Sequence, residues 1–106
     1  AVEAYQDVIN KGGNGHIAQM ARLGLAEAKA QTGSYDDAIS TFRDLSQRKD
    51  GPLPVDGLLL RLGRIQLEAG KGSEAEQTFN RLVQEFPDSP FAADARKALD
   101  TMKKAS

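Results

Sequence analysis

Residues 62–90 read LGRIQLEAGKGSEAEQTFNRLVQEFPDSP, and this stretch decides the fold. Leu62 and Ile65, with Leu58 just upstream, fall at i, i+4 and i+7, the spacing that gathers side chains on one face of an α-helix. Ala75, Phe79 and Leu82 repeat that spacing after a break. Gly70 marks the break, because the position after a helix C-cap favours the left-handed conformation that glycine adopts without strain. Ser73, with Glu76 three residues later, has the form of a capping box. Ser89 followed by Pro90 reads as an N-cap with proline at the first helical position, where its missing N–H costs nothing. The stretch is a helix, a tight turn, a second helix and the start of a third.

Working outward, the same pattern recurs. Ala38 and Ala75 lie 37 residues apart, as do Ala1 and Ala38. On that lattice Tyr5, Phe42 and Phe79 coincide, as do Val8, Leu45 and Leu82. A second set joins Ala21, Leu58 and Ala95, then Leu25, Leu62 and Leu99, then Ala28, Ile65 and Met102, and Gly33 falls on Gly70. The unit is therefore a pair of helices, A then B, repeated along the chain. The expected elements are B over about 1–11, A over 16–32, B over 35–48, A over 54–69, B over 73–86 and a closing A-like helix over 90–104. Ser34, like Ser73, is expected to cap a B helix, and Gly12, Gly13 and Gly15 break the chain between the first two helices. No segment alternates with period two long enough for a strand.

Composition narrows the chemistry. The chain has 106 residues, suited to one domain, and 14 basic side chains against 15 acidic ones. A net charge of -1 gives no general attraction to nucleic acid or anionic lipid. With no cysteine there are no disulfides, thiolate metal sites or cysteine nucleophiles, and a single histidine, His16, leaves no basis for a catalytic triad. No apolar run reaches the roughly 18 residues of a membrane-spanning helix. No metal, cofactor or nucleic acid is expected, and this segment is not expected to insert into a membrane. The opening at Ala1, in mid-pattern, reads as a fragment of a longer protein.

The repeat resembles the tetratricopeptide repeat. Leu62, Gly63, Gly70, Ala75, Phe79, Leu82 and Pro87 match that family's spacing in order, as do Leu25, Ala26, Gly33, Tyr35, Ala38, Phe42 and Leu45 one unit earlier. Asp50 stands where the family often has proline. The resemblance implies an all-α fold, a right-handed α-α superhelix of antiparallel helix hairpins with about six helices. It would form one domain over residues 1–106: a half repeat at 1–11, repeats at 16–50 and 54–87, and a closing helix at 90–104. Gly63, inside a helix, costs about 1 kcal/mol relative to alanine. A close approach between helices explains it, with Ala75 as the expected small partner and Ala26 with Ala38 repeating the contact. Phe42 and Phe79 are expected to fill the space between their own A helix and the next. The segment Phe86–Pro90, followed by an alanine-rich helix, is similar to tetratricopeptide proteins of the bacterial envelope, among them outer-membrane assembly lipoproteins, cell-division coordinators and ancillary translocon subunits. That likeness implies a periplasmic module, or a membrane-anchored one facing the periplasm; the cytoplasm is the alternative.

The family uses the A helices as the lining of a concave groove. Carried onto this sequence, the groove positions are Met20, Leu23, Glu27 and Gln31, then Leu60, Arg64, Leu67 and Glu68, and Lys97, Thr101 and Lys104 on the closing helix. One row would run Leu23, Leu60, Lys97 and another Glu27, Arg64, Thr101. Members that clamp a terminal carboxylate do so with Lys, Arg and Asn, and Met20, Leu23 and Glu27 replace that set. An amphipathic helix or an extended apolar peptide fits these residues better. The alternative is that these leucines are covered by helices upstream of Ala1.

Other motifs read as structural. Gly12-Gly13-Asn14-Gly15 follows a helix and lacks the Gly-Lys-Ser/Thr ending of a phosphate loop, so it is a turn. Asp36 with Asp37 and Glu74 with Glu76 lie in helix first turns, where carboxylates complement the dipole, and Asp94 with Asp100 reads as solvated. The function implied is a non-enzymatic protein–protein interaction module that binds a peptide or helix of a partner. The alternative is a structural, self-assembling segment whose groove or end face is covered by its own chain or another copy, giving a homo-oligomer.

Overall fold

The computed structural model describes residues 16–47 and 53–105. The expected first B helix and the glycine-rich turn after it lie outside the described residues. Among the described residues every regular element is an α-helix: α1 (His16–Gln31), α2 (Tyr35–Ser46), α3 (Val55–Glu68), α4 (Gly72–Glu85) and α5 (Pro90–Ala105). Each lies within two residues of its expected borders. The chain divides into two compact units, residues 1–55 and 56–106.

In the first unit α1 and α2 form a hairpin closed at Gly33. That glycine has φ 90°, its N–H donates to Ala30 O at 3.1 Å, and Ser34 N–H donates to Lys29 O at 2.8 Å. These two bonds are a Schellman motif, which satisfies carbonyls that the end of α1 would leave unpaired. α1 buries small side chains, Ala18, Ala21, Ala26 and Ala30, while α2 buries Ala38, Ile39, Phe42 and Leu45. Small residues on one helix and an aromatic on the other let the pair approach closely.

The second unit repeats the hairpin with α3 and α4 and adds α5. Gly70 has φ 79°, Gly70 N–H donates to Leu67 O at 3.0 Å, and Lys71 N–H donates to Gln66 O at 2.8 Å. The lattice of 37 thus reproduces the turn bond for bond. The serine caps are not formed as expected. Ser34 occupies the N-cap position without a side-chain hydrogen bond, and Lys71, not Ser73, is the N-cap of α4. Ala38 N–H donates to Ser34 O and Ala75 N–H to Lys71 O, the first intrahelical bonds of the two B helices, which places both N-caps within the glycine turns.

The core of this unit is Leu58, Leu62 and Ile65 on α3, Ala75, Phe79 and Leu82 on α4, and Ala92 and Ala95 on α5. Gly63 does sit at a close approach, but its partner differs from the expected one. A Cβ at residue 63 would lie 2.5 Å from Phe79 Cε1, so the ring of Phe79, and not the methyl of Ala75, occupies the space that glycine leaves. A buried polar pair crosses the same interface: Thr78 Oγ1 donates to Gln66 Oε1 at 2.6 Å. Pairing satisfies both groups where isolation would cost each its desolvation energy.

Candidate functional site

Helical geometry sorts the expected groove residues. On α1 the alanines and Gln19 turn inward, which leaves Met20, Glu27 and Gln31 on the opposite arc. Met20 is 49% exposed, Gln31 is exposed, and Leu23 and Glu27 are half-buried. Ile17, one turn before Met20, is 72% exposed and extends this apolar stripe. Sequence reasoning missed it, although its i−3 spacing from Met20 was the available signal.

On α3 the outward arc carries Arg61, Arg64, Leu67 and Glu68, with Leu67 38% exposed. Leu60 belongs to the same arc but is only 4% exposed, which removes it from the contact set. The reason is local: Leu58, Leu59, Leu60 and Leu62 are all buried, so the N-terminal half of α3 is enclosed on more sides than a simple amphipathic stripe predicts. On α5, Lys97, Thr101 and Lys104 are exposed, and Lys104 Nζ pairs with Asp100 Oδ2 at 3.6 Å.

The start of α5 is tied to the start of α3. Ser89 Oγ donates to Asp56 Oδ2 at 2.7 Å and accepts from Phe91 N–H at 3.1 Å. The second contact is the expected N-cap; the first was invisible in the sequence because 33 residues separate the partners. Asp56 Oδ1 in turn accepts from Gly57 N–H at 3.0 Å. The ring of Phe91 lies over Gly57, where an added Cβ would meet Phe91 Cε2 at 3.4 Å. Residues 56–57 and 89–91 therefore form one polar and aromatic latch.

Helix pairs that close on a left-handed glycine, bury an alanine and a phenylalanine from each B helix, and recur every 37 residues specify one kind of repeat. Residues 1–54 match the family model of the tetratricopeptide repeat, and residues 58–89 match a second model of that same repeat. The chain belongs to the tetratricopeptide repeat family. No curated protein matches it. The two matches fall one on each compact unit, meeting near the boundary at residue 55. Tetratricopeptide repeats are generally protein–protein interaction modules and typically lack catalytic activity. Among the described residues no three His, Cys, Asp or Glu side chains come together as a metal site, and no helix is long and apolar enough to cross a membrane.

Proposed function

We propose that this tetratricopeptide repeat chain is a non-enzymatic module that binds a peptide or helix of a partner protein through the outward arcs of its A helices, each compact unit taken by itself. The observation that carries this reading is the exposure of Met20 and Leu67. Met20 continues an apolar stripe with the exposed Ile17, and Leu67 stands beside the exposed Arg64 and Glu68. The test is selection from a displayed library of random 16-residue peptides. Binders should lose affinity for folded Leu67→Glu or Met20→Glu variants and keep it for Gln84→Glu on the outer side of α4. Binders indifferent to both groove changes would defeat the assignment.

The setting proposed is the bacterial envelope, in the periplasm or anchored in a membrane and facing it, with the cytoplasm as the alternative. The likeness of Phe86–Pro90 and the alanine-rich α5 to envelope tetratricopeptide proteins supports it. Fractionation of cells producing the full-length protein tests it.

A second reading, a self-assembling segment, is favoured by two other observations. Ile17 is largely exposed, and an open hollow of about 310 Å³ at the far end of α5 is lined by Leu99, Met102, Lys103, Gly72 and Glu76. Light scattering over a concentration series decides it: a mass that stays monomeric excludes self-assembly.

A further inference from the structure

The start of α4 and the end of α5 leave a space between them. Gly72 and Glu76 on α4, with Leu99, Met102 and Lys103 on α5, line an open hollow of about 310 Å³. The glycine shows the same space from its own side: a Cβ at residue 72 would meet nothing within 4 Å.

Comparison between the repeats shows what this hollow lacks. On the 37-residue lattice Gly72 and Glu76 stand where the preceding repeat has Tyr35 and Ile39, four residues apart and so on one face of a helix. Ile39 is buried and Tyr35 half-buried, whereas Gly72 has no side chain and Glu76 is exposed. Leu99 and Met102 fall on Leu62 and Ile65 of α3, which are buried, yet both are only half-buried themselves. One helix has given up an aromatic and a branched aliphatic side chain, and the apolar pair on the other is left partly wet.

The neighbouring position on α5 restricts what can fill it. Asp100 stands where α3 has Gly63, the residue whose missing side chain admits the ring of Phe79. A carboxylate there, held by Lys104 Nζ at 3.6 Å, bars the same approach, so this face does not suit another helix of the α4 kind. What stays open is the hollow beside it, at the small end of ligand clefts, which run roughly from 300 to 1,000 Å³. Its rim is charged. Among the described residues Asp100 has Lys104, while Glu76 has no ion pair.

Resting on the protein-binding reading above, though not on its groove, we propose that this α4–α5 hollow takes an aromatic side chain of a partner protein, with a Lys or Arg of the same segment on Glu76. The ring packs on Leu99 and on the thioether of Met102, a sulfur that makes favourable contacts with aromatic edges. Glu76 meets the cation, and Lys103 on the other helix repels one, so the basic residue is held to the α4 side. An acidic segment is rejected by the same carboxylate.

The displayed peptide library tests this when it is selected on the unaltered chain and counter-selected on Gly72→Tyr/Glu76→Ile. That variant restores the residues of the preceding repeat and fills the hollow; circular dichroism checks its fold. Surviving peptides should carry an aromatic residue within one helical turn of a Lys or Arg. The chain has two methionines, Met20 and Met102, so isotope-labelled methyl groups report the groove and the hollow separately. A synthetic selected peptide should shift the Met102 methyl resonance, leave that of Met20 in place, and lose at least tenfold in affinity for Glu76→Gln. Should the filled variant not fold, the Met102 methyl and Glu76→Gln decide the matter unaided. Binders that lack the aromatic, leave Met102 unmoved or hold Glu76→Gln equally overturn the hollow assignment; if they depend on Leu67, the groove reading stands. A Met102 methyl that moves with protein concentration alone makes the occupant a second copy and overturns the proposal as well.

Discussion

The ring of Phe79 occupies the volume that a side chain on Gly63 would require: an ideal Cβ at residue 63 would lie 2.5, 2.7 and 2.8 Å from ring carbons Cε1, Cζ and Cδ1. Phe79 is fully buried. Overpacking a filled core costs about 1–3 kcal/mol, and the helix-propensity gain of alanine over glycine returns only about 1 kcal/mol. Gly63→Ala should therefore lower the urea midpoint with an unchanged slope. Gly72→Ala, with nothing within 4 Å of its Cβ, is the control and should be neutral or mildly stabilising. Equal midpoints for both variants would refute the contact.

Removing the ring should be worse than crowding it. Phe79→Ala opens a cavity at a fully buried site and is expected to cost about 3–5 kcal/mol. Thermal unfolding followed by circular dichroism reads this as a large fall in Tm. A loss under about 1 kcal/mol would show that the site collapses freely.

The latch predicts coupling between residues 33 positions apart. Ser89→Ala removes both an N-cap acceptor and the donor to Asp56, and should cost about 1–2 kcal/mol. A double-mutant cycle with Asp56→Ala should give an interaction energy of at least about 0.5 kcal/mol, the lower end for residues in direct contact. Additive effects would show that the hydrogen bond contributes nothing to stability.

The Gln66–Thr78 pair is buried, so the two single deletions should be asymmetric with the double one. Thr78→Val leaves Gln66 Oε1 without its donor and is expected to cost about 1–3 kcal/mol. Replacing both groups, as Gln66→Leu/Thr78→Val, should recover most of that loss. Denaturant titration of the three variants checks the order.

A left-handed turn is tested at Gly70. With φ 79°, any L side chain is strained by roughly 1–2 kcal/mol even though nothing crowds the position. Gly70→Ala should therefore destabilise, and Gly70→Asn should destabilise less, because asparagine tolerates that conformation. If the two variants unfold alike, the loss does not arise from backbone handedness.

Much of the architecture could be read from residue spacing because the features that encode it are local or periodic. Leu62, Ala75, Phe79 and the two turn glycines recur on a lattice, and helical faces follow from the spacing of three or four. Contacts between distant segments were the part that spacing could not reveal. Asp56 carries no mark that assigns it to Ser89, and Gly63 signalled a close approach without naming the ring that makes it. The serine caps misled because Ser and Glu at capping-box spacing are a frequent local pattern, and the glycine turn starts α4 at Lys71, two residues before Ser73. Among the residues proposed for the groove, periodicity anticipated the exposure of Met20, Arg64, Leu67, Lys97 and Thr101. It failed at Leu60, since exposure depends on how many neighbours enclose a helix end, and Ile17 was overlooked for the converse reason.

The two glycine turns have one more implication. Because Gly33 and Gly70 close with matching backbone bonds and without side-chain caps, residues 34–70 begin and end on interchangeable junctions. A duplicate of that segment spliced in after Gly70 would need no new loop chemistry, so the length of the array is an adjustable dimension of this scaffold, open to gene duplication and to the protein engineer alike.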